Sequence, residues 1–369
     1  MVIDIRVYVI AYRCAGVGSY AGGVSRFVVP DVLVLAAGGI LGEAWMSGVL
    51  AGIEDGSDAD FREVEHLVGT SAGSMVAARL AAGRRPRRPG GGAPGADPGY
   101  ARDASGEGPR DDAREARTER GLLDDAGEPG SGREPRDDGD GPTGRFLVPG
   151  LLRVARTAGR VAALATMPFV PAAMALGAPA AARARGLVLS RLPDRGVELR
   201  ELHREMASLD ARFDGRLRVC TVDRGNGRRV VFGQPGAPRA SVADAVVASC
   251  SIPWVFRPVE IGGREYVDGG AWSLTNLDAA PAGRDSEVLC LNPSASLGLA
   301  LSSLYGLARA AVGAAAELEV LALRARGARV RSIGPSADAA QLMGVNFMDP
   351  RPARAVLAAG YRQGLALAR

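Results

Sequence analysis

Apolar and polar positions divide this chain into stretches of different character. Asp31 to Ala36 (DVLVLA) is a short, β-branched apolar run, the pattern of a buried strand. It ends in Ala37-Gly38-Gly39-Ile40-Leu41-Gly42, after which Ala44, Trp45, Gly48, Val49 and Ile53 fall at helical spacing. Val64 to Val68 predicts a second strand, and Ala72 to Ala82 (AGSMVAARLAA) a second helix. The second half resumes this rhythm. Arg216 to Val222 and Arg229 to Phe232 read as strands, and Ser241 to Ser249 as a short helix with a serine cap. Val259 to Ile261 and Arg264 to Val267 read as strands around a Gly262-Gly263 turn, and Glu287 to Leu291 as another strand. Leu301 to Arg326 is a long alanine-rich helical stretch. Pro350 to Ala368 is a terminal helix whose proline suits a first turn. Strand, turn and helix in alternation predict an α/β layered domain.

Two stretches break the rhythm. From Arg84 to Arg145 the chain is dense in Gly, Pro, Asp, Glu and Arg and nearly free of large apolar side chains. It buries too little surface to offset its ordering entropy, so 84–145 is expected to be a disordered insert within one domain. The following segment, 146–193, is apolar. Arg153, Arg156 and Arg160 lie on one side of its first part, and Val161 to Ala182 carries no charge. That length would cross a bilayer, but Pro168, Pro171 and Pro179 interrupt it. It is expected to form buried or capping helices, with a lid-like element touching lipid through 146–182 as the alternative. Residues 1–30 are expected to be a poorly ordered extension. Their apolar run, Val7 to Tyr12, is short for a signal core and closely flanked by Asp4, Arg6 and Arg13. The working domain is then 31–369.

Composition narrows the chemistry. The chain has 369 residues, 47% of them hydrophobic, enough for a large core. A net charge of +4 is small for this length and does not suggest a nucleic-acid partner. Cys14, Cys220, Cys250 and Cys290 are widely separated and form no C-x-x-C pair, which suits free thiols in a reducing, cytoplasmic setting. No His, Cys and Asp cluster has metal-ligand spacing, and no cofactor or metal is expected. The sequence leaves the oligomeric state open.

Three short motifs remain. Gly69-Thr70-Ser71-Ala72-Gly73 fits G-x-S-x-G, in which a serine on a tight strand-to-helix turn exposes its hydroxyl as a nucleophile. The turn is crowded, so a side chain at 69 or 73 should collide with a neighbouring strand or helix. A serine needs a base. The only histidines are His66 and His203, and neither follows a plausible acid in the order Ser, Asp, His. A carboxylate is the remaining acceptor. Asp268-Gly269-Gly270, at the end of a strand, is the best candidate base; Asp223 and Asp244 lack the glycine pair. Gly38-Gly39-Ile40-Leu41-Gly42 follows the first strand, where consecutive backbone N–H groups could hold an oxyanion. A dinucleotide loop would need G-x-G-x-x-G, and Ala37 fails its first glycine.

In this order the three motifs resemble the patatin-like phospholipase family. Ala248-Ser249-Cys250-Ser251-Ile252-Pro253, Arg257-Pro258-Val259 and the tail near Met348-Asp349-Pro350 extend the likeness to 31–83 and roughly 190–369. The resemblance implies a three-layer α/β/α domain with a central, mostly parallel sheet. It further implies a Ser-Asp dyad of Ser71 and Asp268, with Gly38, Gly39 and Ile40 near the oxyanion. Gly42, Gly69, Gly73, Gly269 and Gly270 then serve as motif glycines. The implied activity is hydrolysis of a lipid ester, with no cofactor. Ala37 and Leu41 stand where the family often has a glycine and a basic residue. They keep open the alternative of a catalytically weak or inactive lipid-binding or regulatory protein on the same fold.

Overall fold

The computed structural model describes residues 27–90, 182–192, 196–295 and 304–369. Its first half runs β1 (Val32–Leu35), α1 (Gly39–Gly56), β2 (His66–Thr70), α2 (Ala72–Ala81), α3 (Ala182–Ser190) and α4 (Arg200–Ser208). The second half runs β3 (Leu217–Asp223), β4 (Arg229–Phe232), α5 (Val242–Ser249), β5 (Val259–Ile261), β6 (Arg264–Asp268), β7 (Glu287–Leu291), α6 (Leu304–Ala325), β8 (Arg329–Ile333), α7 (Ala337–Met343) and α8 (Ala353–Leu367).

Among the described residues the strands form one eight-stranded mixed sheet. β1 is central, parallel to β2 on one side and β7 on the other; β3 extends the parallel run beyond β2, and β8 beyond β7. β4 and β6 both pair antiparallel with β3, and β5 pairs antiparallel with β6. Both faces are covered, which is why β1 reads as an unbroken apolar run rather than an alternation. Leu33, Leu35, Leu67, Leu217 and Leu289 point into the larger core beneath α1, α2, α4, α5 and α8. Val32, Val34, Val68, Val288 and Val330 point to the other face, where Val320 and Leu323 of α6 cover them. This is the expected three-layer α/β/α arrangement.

α1 and α8 pack backbone against backbone. A Cβ at Gly48 or Gly52 of α1 would lie 2.2 Å from Leu357 O or 2.1 Å from Tyr361 O. A Cβ at Gly364 of α8 would lie 2.2 Å from Val49 O. No side chain fits such gaps, so glycine at these positions sets how closely the terminal helix approaches. That contact holds α1, and so the loop at its start, against the rest of the domain.

α1 begins at Gly39, inside the glycine loop and earlier than the apolar periodicity suggested, because glycines carry no periodic signal. β8 and α7 also escaped sequence reading. β8 buries only Val330 and Ile333 and carries Arg329 and Arg331, as an edge strand with an exposed side does. Of the expected N-terminal extension, residues 1–26 lie outside the described residues, whereas Phe27 is buried edge-to-face on Phe61 at 6.1 Å. Of the expected insert, residues 91–145 lie outside the described residues. Within 84–90, Arg85 and Arg88 pair with Glu54, and Arg87 pairs with Glu43. Of the expected lid-like segment, 182–192 are described; there α3 buries Arg185, whose guanidinium donates to Gly227 O at 2.8 Å. Among the described residues no helix is long and apolar enough to cross a membrane.

Candidate active site

Ser71 occupies the turn between β2 and α2 with φ 52° and ψ −122°. A non-glycine residue held there costs on the order of 1–3 kcal/mol, so its surroundings must enforce it. They do. A Cβ at Gly73 would lie 1.9 Å from Leu35 O, and one at Gly69 2.4 Å from Ser74 Cα. Both glycines are therefore required by close backbone approach, as the motif predicted. The Ser71 N–H donates to Ser249 Oγ at 2.8 Å, and Ser249 Oγ donates in turn to Cys220 O at 2.7 Å. Ser74 closes the first turn of α2, its N–H and hydroxyl both donating to Ser71 O.

Strand pairing explains why Asp268 arrives beside this serine. A strand residue has two edges, and Val219 to Val222 of β3 use one of them on β4. β2 and β6 must therefore share the other. β2 runs parallel to β3 and ends with Thr70 opposite Cys220, whereas β6 runs antiparallel and ends with Asp268 opposite Thr221. The two strands approach from opposite directions along one edge, and their C-terminal ends meet at neighbouring positions of β3. Ser71 follows one end and Asp268 is the other. The packing at this junction is tight: a Cβ at Gly269 would lie 2.3 Å from Cys220 O.

Asp268 is 5% exposed. Burial pushes its carboxyl up from 3.8 to about 7, against the lowering effects of the Gly270 N–H and of a hydrogen bond with the Ser71 side chain. The Gly270 N–H reaches Oδ1 at 2.7 Å. Raised basicity in a buried carboxylate that faces a serine is the combination a general base needs near neutral pH.

The glycine loop closes the third side. Gly39 has φ +58°, and its would-be Cβ lies 2.8 Å from Phe347 O. The flanking amides are occupied: Ala37 N–H donates to Leu274 O at 2.8 Å and Leu41 N–H to Phe347 O at 3.1 Å. Among the described residues, the N–H groups of Gly38, Gly39 and Ile40 between them have no acceptor. Gly39, Ile40 and Ser71 line one pocket of about 510 Å3, part of it open to solvent. Leu41 is fully buried in the core, so the cations near this pocket are Arg79 and Arg87 instead.

Two further side chains hold the site, and sequence reasoning passed over both. Ser249, at the end of α5, anchors the Ser71 amide as described above, and Ser251 O accepts the Asp268 N–H at 2.9 Å. One short segment thus fixes the backbone of both residues. Asn276, fully buried with φ 47°, donates through Nδ2 to Thr70 Oγ1 and to Gly269 O, each at 3.2 Å. It ties the residue before the serine to the residue after the aspartate. The only available signals were a small hydroxyl among small residues and an asparagine shortly after Asp268-Gly269-Gly270.

The competing groups lie elsewhere. Asp244 Oδ1 accepts from His203 Nε2 at 2.9 Å. Asp223 caps the β3–β4 turn through the N–H groups of Gly225 and Asn226 and pairs with Arg264. His66 begins β2, at the far end of that strand from Ser71. Cys220, Cys250 and Cys290 are free and buried, with burial pushing each thiol up. Among the described residues no three His, Cys, Asp or Glu side chains converge as metal ligands would.

A family model described as patatin-like phospholipase matches residues 33–281, two thirds of the chain. The chain belongs to the patatin-like phospholipase family. Comparison with curated proteins yields no match. The patatin match begins within β1 and ends beyond Asn276, so it spans the glycine loop, the Ser71 turn and the Asp268 loop. Patatin-like proteins are lipid acyl hydrolases as a class.

Proposed function

We propose that the protein is a serine hydrolase of lipid esters that uses Ser71 and Asp268 as a dyad. The observation that carries this reading is the meeting of the C-terminal ends of β2 and β6 at neighbouring positions of β3, with the buried Asp268 carboxyl at one end and Ser71 following the other. Asp268 takes the Ser71 hydroxyl proton as Oγ bonds to the ester carbonyl carbon. The carbonyl oxygen becomes an oxyanion, held by the N–H groups of Gly38, Gly39 and Ile40. The positive end of α2 favours the same charge. Collapse breaks the ester C–O bond, and the departing alkoxide takes the proton from Asp268. Water then attacks the acyl-serine and gives its proton to Asp268. The second collapse releases the carboxylic acid and returns the proton to Ser71 Oγ. Contact with a membrane through 146–182, proposed with the lipid substrate, concerns residues that lie almost wholly outside those described.

A fluorophosphonate probe and a fluorogenic ester, applied to wild type, Ser71→Ala and Asp268→Asn, test the reading. Wild type labels at Ser71 and turns over; Ser71→Ala does neither; Asp268→Asn loses turnover by at least about a thousandfold. Equal turnover by all three overturns the dyad. An unlabelled wild-type Ser71 with vesicle binding intact would restore the alternative of a non-hydrolytic lipid-binding protein.

A further inference from the structure

Along α1 and α2 the lining of the pocket beside Ser71 is apolar for only a short distance; Leu199, Cys250, Ile252, Phe256 and Met348 line its other walls. α1 and α2 both start at the site and run away from it side by side. On α1 the lining residues are Gly39, Ile40 and then Glu43; on α2 they are Ala72, Met75 and then Arg79. Each helix thus offers one turn of apolar lining and then a charge. Arg79 donates to Glu43 at 2.6 Å and to Glu205 at 2.5 Å, and Arg87 also pairs with Glu43. The Glu43 and Arg79 side chains are 5% and 16% exposed, so the pairs lie across the groove rather than on an open surface.

From these positions we infer that the protein is selective for short- to medium-chain acyl esters, with the Glu43–Arg79–Arg87 cluster setting the limit. The inference deepens the reading proposed above and rests on Ser71 as the nucleophile. At about 1.5 Å per helical residue, Glu43 stands about 6 Å beyond Gly39 and Arg79 about 12 Å beyond Ser71. An extended carbon chain advances about 1.3 Å per bond, so the apolar stretch takes about five to nine carbons. Within that stretch each added methylene leaves water for Ile40 and Met75. Beyond it a methylene must sit against paired, hydrogen-bonded charges on the α1 and α2 side, whose disruption is costly.

A series of p-nitrophenyl esters from butanoyl to dodecanoyl, kept below their aggregation concentrations, tests this with the wild-type protein. Buried methylenes raise kcat/KM by about fourfold each while they find apolar surface. The expected profile rises to hexanoyl or octanoyl and is flat or falling thereafter. A rise that continues at this rate to dodecanoyl overturns the inference. Glu43→Leu combined with Arg79→Leu and Arg87→Leu removes all three charges together and extends the apolar lining. It should raise the dodecanoyl-to-butanoyl ratio at least about tenfold, and a ratio equal to wild type also overturns the inference. Should that variant fail to fold, the wild-type series decides alone. A Ser71 that is unlabelled by fluorophosphonate, with no turnover at any length, overturns the underlying hydrolase reading and the length limit with it. Turnover with a long-chain optimum overturns the length limit only.

Discussion

Asp268→Asn should stabilise the fold while abolishing turnover, and the stabilisation should grow with pH. Burial raises the Asp268 pKa from 3.8 to about 7 in the folded protein. Below the unfolded value both states hold the proton and nothing is lost. As pH rises above it, the unfolded chain ionises while the native carboxyl resists, and stability falls until pH passes the native value. A shift from 3.8 to about 7 corresponds to about 4 kcal/mol at full ionisation. Asparagine keeps an acceptor for the Gly270 N–H and removes the ionisation. At about pH 5.5 the variant should exceed wild type by about 2 kcal/mol, and at about pH 8.5 by about 4 kcal/mol. Urea denaturation at the two pH values measures both. Every other titrating group is common to the two proteins, so the change of the gap with pH isolates Asp268. The Cys250 thiol, which feels the Asp268 charge, has its pKa raised chiefly by burial and stays neutral in this range. A gap that stays constant or narrows as pH rises refutes the raised carboxyl and the reasoning built on it.

Three other outcomes follow from the same geometry. The wild-type kcat/KM should rise with pH through about 7, as the Asp268 carboxyl ionises, and a profile already flat from about pH 5 upward would exclude Asp268 as the base. Ser249→Ala leaves the Ser71 N–H without its 2.8 Å acceptor. It should lower kcat at least about tenfold with little change in KM, and Ser249→Thr should restore part of the rate; unchanged kcat in the alanine variant would remove Ser249 as a positioning residue. Gly73→Ala drives a Cβ to 1.9 Å from Leu35 O, whereas Gly83→Ala meets nothing within 4 Å. The first should cost about 3 kcal/mol or more and the second about 1–2 kcal/mol from its positive φ, a difference that a thermal melt resolves.

What could be read from the sequence was local. Ser71 and its glycines announce themselves because the constraint is contained within five residues: a strand, a turn and a helix too close for a side chain at 69 or 73. The apolar runs of β1 and β7 were legible because a strand buried on both faces has no polar interruptions. Asp268 was a candidate only by its glycine pair and by family resemblance, because its placement depends on β2 and β6 sharing one edge of β3. Pairing between positions nearly two hundred residues apart leaves no periodic trace. Ser249 and Asn276 act through single buried hydrogen bonds, which no composition or spacing announces. Glu43, Arg79 and Arg87 escaped in another way. Sequence reading assigned Glu43 and Arg79 no role and put Arg87 in a stretch expected to be disordered, yet in the fold they converge on one pocket.

The absence of a histidine from this site poses an energetic question that the fold itself answers. A serine proton is transferred more readily the closer the acceptor's pKa is to that of the hydroxyl, and an ordinary aspartate near 3.9 is a weaker base than an imidazole near 6.5. At about 7, Asp268 matches the imidazole. That equivalence comes from dehydration: no basic side chain contacts the carboxylate, and the Gly270 N–H and the Ser71 side chain are what lower its pKa. A salt bridge from an arginine would stabilise the carboxylate and the fold, yet it would pull the basicity back down. The arginines around the pocket are instead paired with Glu43 and Glu205, away from Asp268. A dyad of this kind therefore needs its carboxylate buried and unpaired, at the expense of stability above neutral pH. The Asp268→Asn stability gap and the limb of the pH–rate profile must consequently move together in any variant that hydrates the site.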